Sequence, residues 1–206
     1  KDVISNWQIR REGEDINTFY LKKWLGADPE NGDPLWEKVN ADGTVEVTNN
    51  YNEATLQVVG KATPDFTGSI NSLMSYKNFS LSMNWNFVVG NDVYHYRENF
   101  DSNGAYPTYN QMVPMSNWKR WEKPGDIATH PRLVDGGNKN SQRNSSRYLE
   151  DGSYIRLRNV QLSYQIPSSL TSKLGLKSTS VYVSGENLFE FTSIKGAYDP
   201  EAASGG

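Results

Sequence analysis

The chain has 206 residues, with 21 Lys plus Arg, 24 Asp plus Glu, 2 His and no Cys, for a formal charge of −3. Counting Gly and leaving out Tyr, about 38% of it is apolar, below the roughly 45–50% of ordinary soluble domains, so one thick dry core is not expected. The 12 Tyr and 6 Trp, scarce in disordered chains, predict that it folds. The absence of a Lys/Arg run excludes a nucleic-acid footprint, and the absence of Cys excludes disulfides, thiolate zinc sites and iron–sulfur clusters. No apolar run approaches the about 18 residues of a transmembrane helix, which leaves the closed barrel as the way across a bilayer. The opening at Lys1, without Met or a leader pattern, reads as an excerpt.

A partial strand is expected over Val3 to Arg11, carried by Trp7 and by Ile4 and Ile9, which fall in opposite phases. Gly13 to Pro64 follows as a long, polar, aromatic connection. The next two runs alternate with a period of two. Phe66, Ile70, Met74 and Tyr76 share one phase, with Leu73 out of step; Phe79, Leu81, Met83, Trp85, Phe87 and Val89 share another, against Ser80, Ser82, Asn84 and Asn86. Only Lys77-Asn78 lies between them. A two-residue hairpin loop, with Asn tolerating the positive φ, fixes the register: Tyr76 opposite Phe79, Ile70 opposite Trp85, Phe66 opposite Val89. An 11-residue strand at about 3.3 Å per residue, tilted near 45°, gives about 25 Å, the apolar height of an outer-membrane barrel.

Asn91 to Gly152 is a second long connection, with a Gly/Asn/Ser-rich stretch, Asp135–Arg147, expected to be mobile. A third strand runs from Ser153 to Ile166, where Val160, Leu162, Tyr164 and Ile166 alternate while Ile155 and Leu157 sit in the opposite phase; either a bulge near Arg158-Asn159 or an upper end lying above the apolar band would account for them. Pro167 ends that strand, and a compact connection with one helical turn leads to a fourth strand, Ser178 to Leu188, whose Val181-Tyr182-Val183 run leaves its facing open. Short connections alternate with long ones, the asymmetry of outer-membrane barrels, and a structureless loop of about 60 residues is out of place in a compact soluble domain.

The stretches RYLEDGSYIRLRNVQLSYQIP (147–167), VYVSGENLF (181–189) and YDPE (198–201), with FYLKKWLGADPENGDPLW (19–36), GKATPDFTGSINSLMSYKNFSLS (60–82) and NWKRWEKPGD (117–126) in the same order, resemble the C-terminal barrel region of SusC/RagA-type TonB-dependent outer-membrane transporters. The resemblance implies an all-β fold: antiparallel up-and-down strands forming part of a transmembrane β-barrel of about 22 strands, with long extracellular loops. Residues 1–206 would be a C-terminal portion, with the plug domain and the final strands absent. It further implies TonB-dependent uptake of an oligosaccharide or oligopeptide across the outer membrane of a Bacteroidota-like Gram-negative bacterium. Partners would be a SusD-like surface lipoprotein, TonB, the lipid bilayer and a glycan or peptide ligand, but not nucleic acid. The alternative is a secreted carbohydrate-binding β-sandwich in which Phe79, Leu81, Met83, Trp85 and Phe87 face a second sheet.

No catalytic residue, metal site or cofactor is expected. Asp28-Pro29-Glu30-Asn31-Gly32-Asp33 resembles the start of a calcium loop, but Glu37 is too near to be the distant bidentate ligand, so a turn is expected. Glu150-Asp151 and Asp199/Glu201 are adjacent loop acids without a separation suited to glycoside hydrolysis, and His95 and His130 are isolated in sequence. The weak candidates for substrate contact are Trp118, Trp121, Tyr106 and Tyr109, with Tyr94 and Tyr96 nearby. Their faces suit sugar rings, and Asn117, Arg120 and Asp126 offer hydrogen bonds; packing of the loop or membership of an aromatic girdle is the plainer role.

Overall fold

A computed structural model describes residues 1–95, 118–176, 178–195 and 199–201. Its strands are β1 (Val3–Ser5), β2 (Gln8–Arg10), β3 (Thr18–Lys22), β4 (Trp24–Ala27), β5 (Pro34–Val39), β6 (Val45–Thr48), β7 (Leu56–Lys61), β8 (Phe66–Tyr76), β9 (Phe79–Val89), β10 (Asp92–Tyr94), β11 (Leu149–Asp151), β12 (Tyr154–Ile166) and β13 (Thr179–Thr192). One short helix, α1 (Ser168–Thr171), lies between the last two. All pairs between these strands are antiparallel, as expected for an all-β chain. The chain divides into two units: residues 64–90 with 152–193, and the remainder.

The first unit is a single sheet in the order β8-β9-β12-β13. The β8–β9 register is the expected one throughout, from Tyr76 opposite Phe79 to Phe66 opposite Val89. The positive φ of the hairpin turn falls on Lys77, not on Asn78. Asn78 is used differently: its Nδ2 donates to the Gln165 carbonyl at 2.7 Å and its own carbonyl accepts from Gln165 N–H, which ties the hairpin turn to β12. After Pro167, α1 and a 3-10 turn (Ser172–Leu174) close on Gly175 at φ 74, so the connection is as compact as expected. The fourth strand is longer than expected, reaching Thr192.

The second unit comprises residues 1–63, 91–151 and 194–206. Here the long connections expected between the long strands are present, and they carry short strands around a core of their own. Val3 to Arg11 is not one strand but a β1–β2 hairpin with Asn6 at φ 52, and the two out-of-phase isoleucines are direct partners, Ile4 opposite Ile9. β3 and β7 extend this to a four-stranded sheet, β4-β5-β6 form a three-stranded one, and β10 pairs with β11. Ile9, Phe19, Leu21, Trp36, Val93 and Tyr148 are buried. Asp135–Arg147 is not a bare mobile stretch either: Asn138, Ser141 and Ser145 are buried, and Asn138 Nδ2 donates to the carbonyls of Gly32 and Arg132.

Candidate transport surface

Strand alternation gives the first unit two chemically different faces. On one, rows across the sheet read Tyr76–Phe79–Tyr164–Val181, Met74–Leu81–Leu162–Val183, Ser72–Met83–Val160–Gly185, Ile70–Trp85–Leu157–Phe189 and Gly68–Phe87–Ile155–Phe191. A Cβ on Gly68 would lie 2.6 Å from the Phe87 ring, so the glycine leaves room for the cross-strand ring to lie over it. This face is open: Ile70 is 56% and Phe191 66% exposed. The unit forms one sheet and not the two of the alternative sandwich.

The other face is polar. Its rows are Ser75–Ser80–Ser163–Tyr182, Leu73–Ser82–Gln161–Ser184, Asn71–Asn84–Asn159–Glu186 and Ser69–Asn86–Arg156–Glu190. Asn84 Nδ2 donates to Asn71 Oδ1, and Ser75 and Ser80 share a hydrogen bond at 3.1 Å. Leu73, out of step in sequence, lies on this face.

The bulge is where the phase break placed it: Leu157 is opposite Trp85 and Asn159 opposite Asn84, leaving Arg158 as the extra residue. On β13, Asn187 at φ 52 and Leu188 bulge at the same level. Without the extra residue, Ile155 and Leu157 would turn to the polar side; with it, they join Val160 and Leu162. It also directs Arg156 to the polar face, where its Nε donates to Glu190 Oε2 at 2.6 Å and its Nη2 to the same oxygen. Arg158 Nη1 reaches Asn187 Oδ1 at 3.2 Å. No sequence signal pairs Arg156 with Glu190, although the phase break in β12 is consistent with Arg156 lying among polar neighbours.

In the second unit the aromatic candidates separate. Trp121 is only 8% exposed; its Nε1–H donates to Pro29 O at 3.0 Å, and its ring lies over Gly32, whose φ of 74 and contacts leave no room for a Cβ. Trp118 is half-buried with one face on His130, ring centroids 4.5 Å apart. Tyr94 stacks on Trp7 at 5.2 Å and donates to Asn144 Oδ1. Tyr106, Tyr109, Tyr96 and Asn117 lie outside the described residues. Arg120 donates to Pro131 O, and Asp126 accepts the N–H groups of Glu122 and Lys123 as a turn residue.

The segment 28–33 is built as a turn: Asp28 accepts from Glu30 N–H and Asn31 Nδ2, Asn31 accepts from Asp33 N–H, and Asp33 pairs with Lys139 at 2.6 Å. Glu201 N–H likewise donates to the Asp199 carboxylate. Glu150 sits 3.6 Å from His95 Nε2 and accepts from Lys195 N–H at 2.9 Å. Burial would raise the Glu150 carboxyl, but His95 and the Lys195 N–H outweigh it and hold it below its ordinary range.

A cluster of cations on aromatic rings had no sequence signal. Lys22 Nζ lies 4.2 Å from the centre of the Tyr51 ring, Arg143 5.3 Å from the same ring, and Arg147 5.1 Å from that of Trp24. Tyr51 OH donates to Asn144 O across 93 residues of sequence. Burial and the nearby Arg143 lower the Lys22 amine, and burial raises the Tyr51 phenol. These are groups holding strands and turns together, and they supply no acid–base pair.

The chain resembles three TonB-dependent receptors of Formosa agariphila: P3 at 32% identity over 95% of this chain, P39 at 29% over 85%, and P26 at 27% over 94%. Among solved structures it resembles the RagAB peptide transporter (26% identity, TM-score 0.74) and the RagAB peptide importer in its closed-closed state (27%, TM-score 0.78), each over 97% of this chain and 22% of that one. No family model matches. The chain spans about a fifth of the length of the curated relatives it matches, at 19%, 16% and 20%. In its strand order, its two-faced sheet and its sequence, the chain is similar to a segment of the β-barrel architecture of SusC/RagA-like TonB-dependent receptors.

Proposed function

We propose that residues 1–206 form a C-terminal portion of an outer-membrane nutrient importer: four strands of a barrel of about 22, and the cell-surface segments that join them. The barrel would take up an oligopeptide or oligosaccharide, powered by TonB through segments outside this chain, with a SusD-like surface lipoprotein as its lid. The observation that carries the reading is the sheet itself, with an apolar face open from β8 to β13 and a Ser/Asn/Gln face behind it. A bilayer satisfies the first and a wet lumen the second. The solved relatives are a peptide transporter and importer, which weights the ligand toward peptide. In this reading Trp118, Tyr106 and Tyr109 meet the ligand, while Trp121 is buried against Pro29 and Gly32.

The test is a pair of adjacent substitutions in the full-length receptor. Val160→Arg puts a charge on the apolar face in the central row and is expected to cost about 2–4 kcal/mol and to deplete the receptor from the outer membrane, whereas Gln161→Arg faces the lumen and is expected to leave assembly intact. Equal recovery of the two variants would remove the bilayer from the account. Ligand binding by the assembled receptor, weakened by Trp118→Ala, checks the site; unchanged affinity would take Trp118 out of it.

A further inference from the structure

The two ends of the four-stranded sheet differ in charge. Asp65, Arg156, Arg158, Glu186 and Glu190 lie at or toward the end where Phe66, Val89, Tyr154 and Thr192 meet. At the short-connection end, residues 75–80 and 164–181 contain three lysines and no Asp, Glu or Arg. Between the ends, β8 and β9 carry no charged residue.

At that end Lys77 is exposed on the hairpin turn, with Nζ 5.3 Å from the centre of the Tyr76 ring, and Lys173 is exposed in the 3-10 turn. The compact connection hides Thr171 and puts apolar groups outward, with Leu170 62% and Leu176 48% exposed. It is held by its own backbone, Leu170 N–H to Pro167 O and Leu176 N–H to Thr171 O, so these leucines stand on a formed turn. Beside it, Tyr76, Phe79 and Tyr164 form the last row of the apolar face, with Phe79 and Tyr164 ring centroids 4.7 Å apart. An apolar band, then aromatic rings, then lysines with protruding leucines is the order of chemistry met on leaving a hydrocarbon layer through its headgroups.

We propose that the two short connections are a lipid-headgroup contact: Lys77 and Lys173 bind the phosphates of an anionic phospholipid leaflet, while Leu170 and Leu176 dip into its acyl boundary. This rests on the bilayer-facing reading of the sheet and adds to it a preference for anionic lipid set by two named residues. Lysines near such a surface are attracted to it, and with no carboxylate in either connection nothing local cancels the attraction.

The test uses the full-length receptor in detergent, in phosphatidylcholine bilayers, and in bilayers of phosphatidylcholine mixed with phosphatidylglycerol. Thermal unfolding of the native receptor is expected at a higher temperature in the mixed bilayers than in phosphatidylcholine alone. The variant carrying Lys77→Glu and Lys173→Glu is expected to lose more than half of that increment while matching the native receptor in detergent. An increment that survives charge reversal would overturn the proposal, as would an equal loss in a control reversing Lys38, which lies on β5 outside the sheet. A bimane on Leu162→Cys, with any cysteine outside residues 1–206 replaced, reports the underlying reading separately. Quenching by brominated lipid together with an unchanged increment sinks the headgroup contact alone; no quenching sinks both.

Discussion

Two acidic residues on neighbouring strands of the loop-derived unit respond to pH in opposite directions. Burial, reinforced by Asp151, raises Asp92 above its usual range in spite of the Lys61 N–H bonded to it at 3.0 Å, whereas Glu150, against the same tendency, is lowered by His95 and the Lys195 N–H. A lowered folded value means stability that is complete above the ordinary 4.5 and is lost as the pH falls through the lowered value. A raised value means the reverse for Asp92, with stability present in acid and lost as the pH rises through it. In an Asp92→Asn background, which removes the opposing contribution, hydrogen-exchange protection of the β10–β11 ladder in the full-length receptor, corrected for intrinsic rates, is therefore expected to fall below pH 4.5. Glu150→Gln is expected to start lower at neutral pH and to change less on acidification. An identical acid profile in the variant would mean that Glu150 holds nothing there.

At the scale of the strand, the bulge decides which side of the wall each residue of β12 occupies. Deleting Arg158 would carry Tyr154 to Leu157 through half a pleat, placing Arg156 on the apolar face and stranding Glu190 without the guanidinium it accepts from. The deletion is expected to abolish the heat-modifiable folded band of the receptor on gels, whereas Arg158→Ala, which keeps the extra residue, is expected to retain it. Loss of the band in both would show that the side chain and not the inserted backbone matters, and retention in both that the bulge is dispensable. This strand was legible in sequence because a period of two is visible in every half of it, so a bulge announces itself as a change of phase. The facing of β13 was not legible, since Val181 and Val183 face one way and Tyr182 the other in a run where all three are large; the pairing with β12 settles it. The loop-derived unit was still less legible. Its strands are three to six residues long, too short for a period to stand out, and its ties run between distant segments, as from Ser146 to Trp24 across 122 residues. The aromatic candidates illustrate the same limit: Trp118 and Trp121 are close in sequence, but only the partners of Trp121 at Pro29 and Gly32 show that it is buried.

For the whole molecule, connectivity carries the orientation. The chain passes between its two units at 63–64, 90–91, 151–152 and 193–194, and all of these points adjoin the end of the sheet where Phe66, Val89, Tyr154 and Thr192 meet. The two short connections occupy the opposite end. In outer-membrane barrels the short turns are periplasmic and the long segments extracellular, so the proposed function predicts that residues 135–136 are reached from outside the cell and Lys77 only from the periplasm. A biotin-acceptor or epitope tag discriminates this. Between Asp135 and Gly136, both exposed and with open space at the glycine, an insertion is expected to be reached by antibody on intact cells. Between Lys77 and Asn78 it is expected to be silent until the outer membrane is permeabilised. Labelling of the hairpin turn on intact cells, with the 135–136 site silent, would invert the barrel and with it the leaflet assigned to Lys77 and Lys173; labelling of neither site in permeabilised cells would mean that the chain does not cross this membrane at all.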